Sequence, residues 1–361
     1  MDIWDDYYHS YDDEMTFLPC FKLMSGVFAS VVRSVRGLPP QREEAQSERP
    51  AYHAPRFRRA YLMPAYWGVW LGIGLLRAVS FLPSQIRAVL GALAGDGYRL
   101  FSAKRRRIAH INVALCFPEM PESMRAQFVR RHFRVFGQCL LDFPLLWFGN
   151  PARIRKLVRI TGLENYETPY AQGRKIILLT AHFVALEFGA AAMSARFPLL
   201  GMIKPLKNPL LDWFMANGRK RFDPRGRMLQ REQGLRPVIR EIVRGLGFYY
   251  LPDEDFGTQG SHFVPFLGTE VARLNTLGRL AEICNAVVIP CFTYRLGRGK
   301  GYEVRLGPAL AGFPSGDLVA DTHRMNVELE RHILAAPEQY MWTFKYFKTR
   351  PGGGPPPYDQ S

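Results

Sequence analysis

The run Lys175-Ile-Ile-Leu-Leu-Thr-Ala-His182-Phe-Val-Ala-Leu-Glu187 decides how this chain is read. It follows the polar turn Gln172-Gly173-Arg174, and a short apolar run after a turn reads as a buried strand. From Phe183 to Ala195 the composition becomes rich in Ala, Leu and Met, which favours helix. A histidine therefore stands at a strand-to-helix junction, with a carboxylate five residues on. In a continuous helix that spacing rotates the two side chains about 140° apart. With His182 in the loop and Glu187 in the first turns, the carboxylate can point back at the ring, and the helix dipole favours it there. Such a pair at the carboxyl end of a strand suits a general base and its orienting partner. The same residues also read as a capping histidine beside an unrelated surface glutamate, and spacing alone does not choose.

Around this junction, strand and helix patterns alternate from residue 158 onward. Strands are expected at 175–180, 199–204, 248–251, 262–266, 286–294 and 302–306. Helices are expected at 184–196, 209–221, 235–245, 272–285 and about 320–335. This is an α/β layout: a mixed, largely parallel sheet flanked by helices, with strand ends as the natural place for a site.

The chain has 361 residues, 47% of them hydrophobic, with 48 Lys and Arg against 32 Asp and Glu. A formal charge of +16 favours a polyanionic partner such as nucleic acid, anionic lipid, a phosphorylated substrate or an acidic protein. Five scattered cysteines (Cys20, Cys116, Cys139, Cys284, Cys291) lack zinc spacing and read as reduced, buried thiols. Residues 1–55 read as a poorly ordered N-terminal extension, acidic and aromatic first, then apolar, then a Pro/Gln/Glu/Ser-rich linker. Residues 56–83 are the membrane-anchoring candidate. Tyr61 to Leu82 runs to about 20 residues, the length that crosses a bilayer core. Tyr66, Trp67 and Trp70 resemble an interfacial belt, whereas Arg77 opposes insertion. A spanning helix, a deep interfacial anchor and a buried helix of a soluble protein all stay open. A basic helix start follows at Lys104-Arg-Arg-Arg107, then a helix over 122–148.

Within the α/β part, Lys204, Lys207 and Arg219 lie near element ends and suit a phosphate, or are ordinary surface charges. Asp253 and Asp255 follow a strand and precede Gly257; they suit a metal weakly, lacking a third ligand at matching spacing, or cap backbone and bind arginine. The run 336–342, followed by 347–351, is too aromatic for a free tail and reads as packing. No G-x-S-x-G elbow, P-loop or H-E-x-x-H occurs, which argues against the common serine hydrolases, P-loop NTPases and zincins.

Taken in order, several motifs between residues 60 and 358 carry a resemblance. They are Tyr66-Trp67 with Trp70-Leu-Gly-Ile-Gly74, Arg105-Arg-Arg-Ile with Asn112 and Leu115-Cys-Phe-Pro-Glu119, and His182-Phe with Leu186-Glu187. Asn208-Pro-Leu-Leu-Asp-Trp213, Gly218-Arg219, Pro252-Asp253 with Asp255, and Ala336-Pro-Glu-Gln-Tyr-Met-Trp342 continue the series. With these motifs the chain resembles the bacterial late acyltransferases of lipid A biosynthesis, most closely the lauroyltransferase type.

The resemblance implies a glycerolipid acyltransferase-like fold over residues 84–361, with an N-terminal membrane helix, at the cytoplasmic side of the bacterial inner membrane. It implies transfer of an acyl chain from acyl carrier protein to the hydroxyl of a 3-hydroxyacyl chain on a Kdo-linked lipid A precursor. His182 would deprotonate that hydroxyl and Glu187 would hold the imidazole. Arg219, with Lys204, would bind phosphate or the oxyanion, and Asp255 fills a recurring acidic position at the substrate. No cofactor, no metal and no nucleic acid is implied. Two departures stand out: Lys204 replaces an expected arginine, losing its planar fork, and Val271-Ala-Arg-Leu-Asn-Thr276 replaces a Thr-rich segment. An acyltransferase of this fold acting on another glycolipid or phospholipid is the alternative enzyme. A basic membrane- or nucleic-acid-binding protein is the alternative without chemistry.

Overall fold

The computed structural model describes residues 52–359, apart from 224 and 298. The expected extension before residue 52 lies outside the described residues, as does Cys20. The other four cysteines are free and buried.

The described residues form nine strands: β1 (Val158–Thr161), β2 (Lys175–Leu179), β3 (Leu199–Ile203), β4 (Arg227–Gln230), β5 (Gly247–Tyr250), β6 (Ser261–Phe266), β7 (Thr269–Leu274), β8 (Ala286–Arg295) and β9 (Tyr302–Leu306). Seven form the main sheet in the order β1-β9-β8-β2-β5-β3-β4. The five strands from β8 to β4 run parallel; β9 pairs antiparallel with β8, and β1 parallel with β9. This is the mixed, largely parallel α/β sheet expected from the sequence. Successive side chains on a strand point to opposite faces. Ile177 and Leu179 of β2 thus enter one core with Phe248, Phe133 and Trp342. Ile176 and Leu178 enter the other with Phe188, Leu199 and Tyr249. A strand covered on both faces needs an unbroken apolar run, and β2 and β5 have one.

The helices differ from expectation where local propensity lost to context. Residues 269–274 form β7, the second strand of a hairpin with β6, and the helix starts only at Thr276. The hairpin turn holds Leu267 at φ 52°, while Gly268 lies so close to Pro118 that a Cβ there would stand 2.5 Å from its ring. The expected helix over 122–148 is two pieces, Glu122–Asp142 and Pro144–Phe148, with a proline starting the second.

The membrane-spanning helix is corrected. Among the described residues no helix is long and apolar enough to cross a membrane. The apolar stretch breaks at Pro64 into short 3₁₀ turns, followed by a helix of 14 residues, Trp67–Ser80. That helix is about 21 Å long at 1.5 Å per residue, short of a bilayer core of about 30 Å. Gly72, Ile73 and Leu76 face the protein; Trp67, Leu71 and Leu75 are exposed. The next helix, Ser84–Phe101, crosses Glu122–Asp142 closely because the contact is made of glycines. A Cβ on Gly137 would overlap the Gly91 carbonyl, and one on Gly95 the Phe133 carbonyl. Arg87, buried in the same helix, donates to Asp142 at 2.8 Å, and Asp142 also accepts from the Tyr302 hydroxyl at 2.8 Å, tying the helix pair to the sheet.

Gly137→Leu is expected to force the helices apart and to cost about 1–3 kcal/mol, the usual range for overpacking. Thermal unfolding followed by circular dichroism reads this as a lowered midpoint; an unchanged midpoint would contradict the close crossing.

Candidate active site

His182 occupies the loop after β2, and its backbone is fixed from two sides. Thr180 N–H donates to Tyr250 O of neighbouring β5 at 3.0 Å. From the other side the C-terminal aromatic segment clamps the loop: Met341 N–H donates to His182 O and Val184 N–H to Gln339 O, each at 2.9 Å. Asp253 lies just past β5, so β2 and β5 deliver the histidine and this aspartate to the same end of the sheet.

One carboxylate grips both parts of His182. Asp253 Oδ2 accepts from the His182 main-chain N–H at 2.8 Å, and Oδ1 lies 2.7 Å from ring Nδ1. A proton on Nδ1 facing a carboxylate leaves Nε2 as the basic nitrogen of the neutral ring. Nε2 lies 3.3 Å from Glu254 Oε1. Glu254 is itself held by Arg231 in a two-point pair at 2.7 and 3.1 Å. The Phe344 ring covers the imidazole at a centroid distance of 5.0 Å. Burial disfavours the imidazolium, but the charge and hydrogen bond of Asp253, with Glu254 behind, outweigh it and raise His182 above its ordinary value. Burial likewise opposes the Asp253 and Glu254 carboxylates, yet both end below their ordinary values: His182 lowers Asp253, and Arg231 with His182 lowers Glu254.

Glu187 does something other than hold the imidazole. It sits in the first turn of helix Leu186–Ser194, where the dipole favours it, and pairs with Arg219 in the last turn of helix Pro209–Lys220. Arg219 Nη2 reaches Oε1 at 2.5 Å and Nε reaches Oε2 at 3.2 Å. In the structure the carboxylate on the His182 ring is that of Asp253, while Glu187, expected from the sequence to hold the imidazole, is paired with Arg219. The cause is the Phe183–Tyr340 bridge and the turn after it, which delay the helix to Leu186 and aim Glu187 at the facing helix.

The Glu187–Arg219 pair lines a cavity of about 520 Å³, walled chiefly by apolar groups that include Trp147, Leu186, Ala191, Met202 and Phe222. That volume lies within the usual range of ligand pockets, about 300–1,000 Å³. Leu186 and Leu251 also line it, so the cavity starts within a few residues of His182 and of Asp253. Gly218 keeps Trp147 in that wall, since any Cβ would overlap its indole. Lys204 is half-buried in a small adjoining crevice with Asp212 and Arg219. Asp255 turns away from the cavity: it accepts from Thr349 N and Oγ1, each at 2.7 Å, and from Gly257 N at 3.0 Å. These bonds anchor the C-terminal segment at Thr349. Asp253 and Asp255, read together from sequence as a weak metal pair, serve different partners.

A sequence profile for bacterial lipid A biosynthesis acyltransferase matches residues 54–349. The chain belongs to this family. The lipid A biosynthesis lauroyltransferase of Escherichia coli (strain K12) is 37% identical over 305 residues, 84% of this chain and 99% of that one. The lipid A biosynthesis acyltransferase of Haemophilus influenzae is 36% identical over 299 residues, 82% of this chain and 92% of its own length. The lipid A biosynthesis myristoyltransferase of E. coli is 34% identical, covering 85% and 94%. The 1-acyl-sn-glycerophosphate acyltransferase PlsC from Thermotoga maritima superposes at a TM-score of 0.32 with 15% identity over 70% of this chain and 98% of that one, too distant a likeness to carry weight. Membership makes the reaction an acyl transfer in lipid A biosynthesis; His182 lies inside the matched region, as does the lining of the cavity apart from Tyr52 and His53.

Asp253→Asn is expected to lower the His182 pKa, because burial then acts with less opposition. The sign of the linkage follows from both directions. His182 is raised, so its contribution to stability is complete below about pH 6.5 and fades as pH rises through the folded value. Asp253 is lowered, so its contribution is present above about pH 3.9 and fades as pH falls through the folded value. The substitution should therefore cost most between those limits. Histidine-selective NMR titration checks the pKa, and denaturant unfolding across pH checks the window.

Proposed function

We propose that this acyltransferase moves a fatty acyl chain from acyl carrier protein to the hydroxyl of a 3-hydroxyacyl chain on a Kdo-linked lipid A precursor. The observation that supports this reading is the buried imidazole, held by Asp253 through Nδ1, in the loop just before the helix Leu186–Ser194, whose Leu186, Glu187, Ala190, Ala191 and Ser194 line the apolar cavity. His182 Nε2 takes the hydroxyl proton as the oxygen attacks the thioester carbonyl. The tetrahedral intermediate collapses, the C–S bond breaks, and the imidazolium proton goes to the departing carrier thiolate. No bond to the enzyme forms. The acyl chain of the donor lies in the cavity, where each buried CH₂ contributes about 0.8 kcal/mol. Arg219 spends two of its five N–H donors on Glu187, leaving three for a precursor phosphate or the developing oxyanion. Glu187 thus acts by orienting Arg219, and Lys204 adds a second cation beside it.

Access to a lipid acceptor calls for contact with the bilayer at its cytoplasmic face. Leu62, Met63, Trp67, Leu71 and Leu75 are exposed in one stretch, and Phe81, Val89, Leu93 and Phe101 in the next. Exposed apolar side chains of this kind suit insertion into one leaflet. Arg56, Arg58, Arg59 and Arg99 nearby suit anionic headgroups.

His182→Ala should lower acyl transfer by about 100- to 10,000-fold, the usual contribution of a general base. The measurement is mass spectrometry of lipid A from a bacterial host lacking its own late acyltransferases; restored acylation by the variant would sink the mechanism. Mass added to a phospholipid instead would point to the other acceptor. Replacing Trp67, Leu71 and Leu75 together with Gln should reduce co-flotation with phosphatidylglycerol-containing vesicles while the soluble fold, read by circular dichroism, persists.

A further inference from the structure

The cavity has one wall that the core of the fold does not supply. β4 is the edge strand of the main sheet, and an edge strand presents unpaired backbone groups. Here the segment from Tyr52 to Ala54 lies along it. Tyr52 bridges antiparallel to Leu229, and His53 N–H donates to Met228 O at 2.7 Å. Side chains pin the segment further. His53 is buried, with Nε2 2.8 Å from Asp212 Oδ2 and Nδ1 3.3 Å from Gln230 Nε2. The Tyr52 hydroxyl donates to Glu241 Oε1 at 2.9 Å, and the Arg227 guanidinium lies 5.1 Å from its ring centroid. Asp212 in turn accepts from Leu206 N at 2.8 Å, so the pin reaches the loop after β3. All three residues, Tyr52, His53 and Ala54, line the cavity, and the first two precede the stretch matched by the family profile.

We propose that the segment Tyr52–Ala54 is a specificity-determining wall of the donor-chain cavity, with His53 as the residue that positions it. This rests on the reading that the cavity holds the donor acyl chain. The helix Leu186–Ser194 lines the same cavity through Ala190 and Ala191, so the space available to a chain is bounded both by a core helix and by this added segment. The ligand class is a fatty acyl chain carried as a thioester, and what the wall limits is the length that fits. Loosening the wall admits a longer or bent chain; adding bulk to it excludes one. A methylene more or less in an apolar pocket discriminates by about 10- to 200-fold, so a small displacement of the wall is readable.

The test is a competition between acyl carrier protein donors differing by two carbons, scored as the ratio of kcat/KM values for purified full-length enzyme. His53→Ala, which frees the segment from Asp212 and Gln230, should shift the ratio at least about tenfold toward the longer donor. Ala54→Leu, which adds bulk without breaking a pin, should shift it toward the shorter one. Ala191→Phe, which fills the cavity from the helix side, tests the underlying reading and should also favour the shorter donor. If Ala191→Phe shifts the ratio and both changes at 53 and 54 leave it unaltered, the wall is overturned and the cavity stands. If Ala191→Phe leaves the ratio unaltered, the cavity does not hold the donor chain and both ideas fall.

Discussion

The Asp253 carboxylate is the hinge on which this site depends. It is fully buried and accepts from both the backbone and the ring of His182. A buried charge without partners costs several kcal/mol, so such a group persists only where its surroundings are complete. They are complete here because β2 and β5 are neighbours in register and end together. Arg273, buried beneath, donates to the Asp253 carbonyl and so fixes the residue's backbone from the far side. The C-terminal segment then locks the histidine loop through Met341 and Gln339, while Asp255 locks that segment through Thr349. Segments far apart in sequence therefore close on one ring. The motif 336–342 and the Pro252-Asp253 loop belong to one mechanical unit rather than to separate sites.

Much of the sheet was legible because its code is local. The apolar runs of β2, β5 and β8 and the helix start at Pro209 are written in adjacent residues. The structure adds the caps Asn208 and Asp317, whose side chains accept from the next backbone amides. The short strands β4 and β7 were not legible. Arg227-Met-Leu-Gln is too brief and too mixed for a period to show, and the Val-Ala-Arg-Leu of β7 has helical propensity that pairing with β6 overrides. The spanning helix failed for a related reason. A count of apolar residues from Tyr61 to Leu82 ignores that Pro64 interrupts the hydrogen-bond ladder and that half of the resulting short helix packs on protein.

At the site, His182 was legible and its partner was not. Sequence spacing offers only neighbours along the chain, so Glu187 was the natural choice. Asp253 comes from the next strand in space and 71 residues on in sequence. The signal available was its position: an aspartate just beyond a buried strand in a parallel sheet, where side chains of adjacent strands converge. Glu187 and Arg219 were both singled out from sequence, and the structure brings them to each other rather than to the histidine.

That division of carboxylates has an electrostatic logic. His182 already faces Asp253 and Glu254, which together raise its pKa against the effect of burial. A third carboxylate on the ring would hold the imidazolium more tightly and leave less of the neutral base at working pH. Arg231 meets Glu254 and counters part of that pull, as the lowering it exerts on His182 reflects. Arg219 pairs with Glu187 in the same two-point way. Each acid beyond Asp253 is thus paired with its own arginine. The ring keeps one dominant partner, which fixes its tautomer and orientation, and the second arginine is carried to the cavity wall with donors to spare.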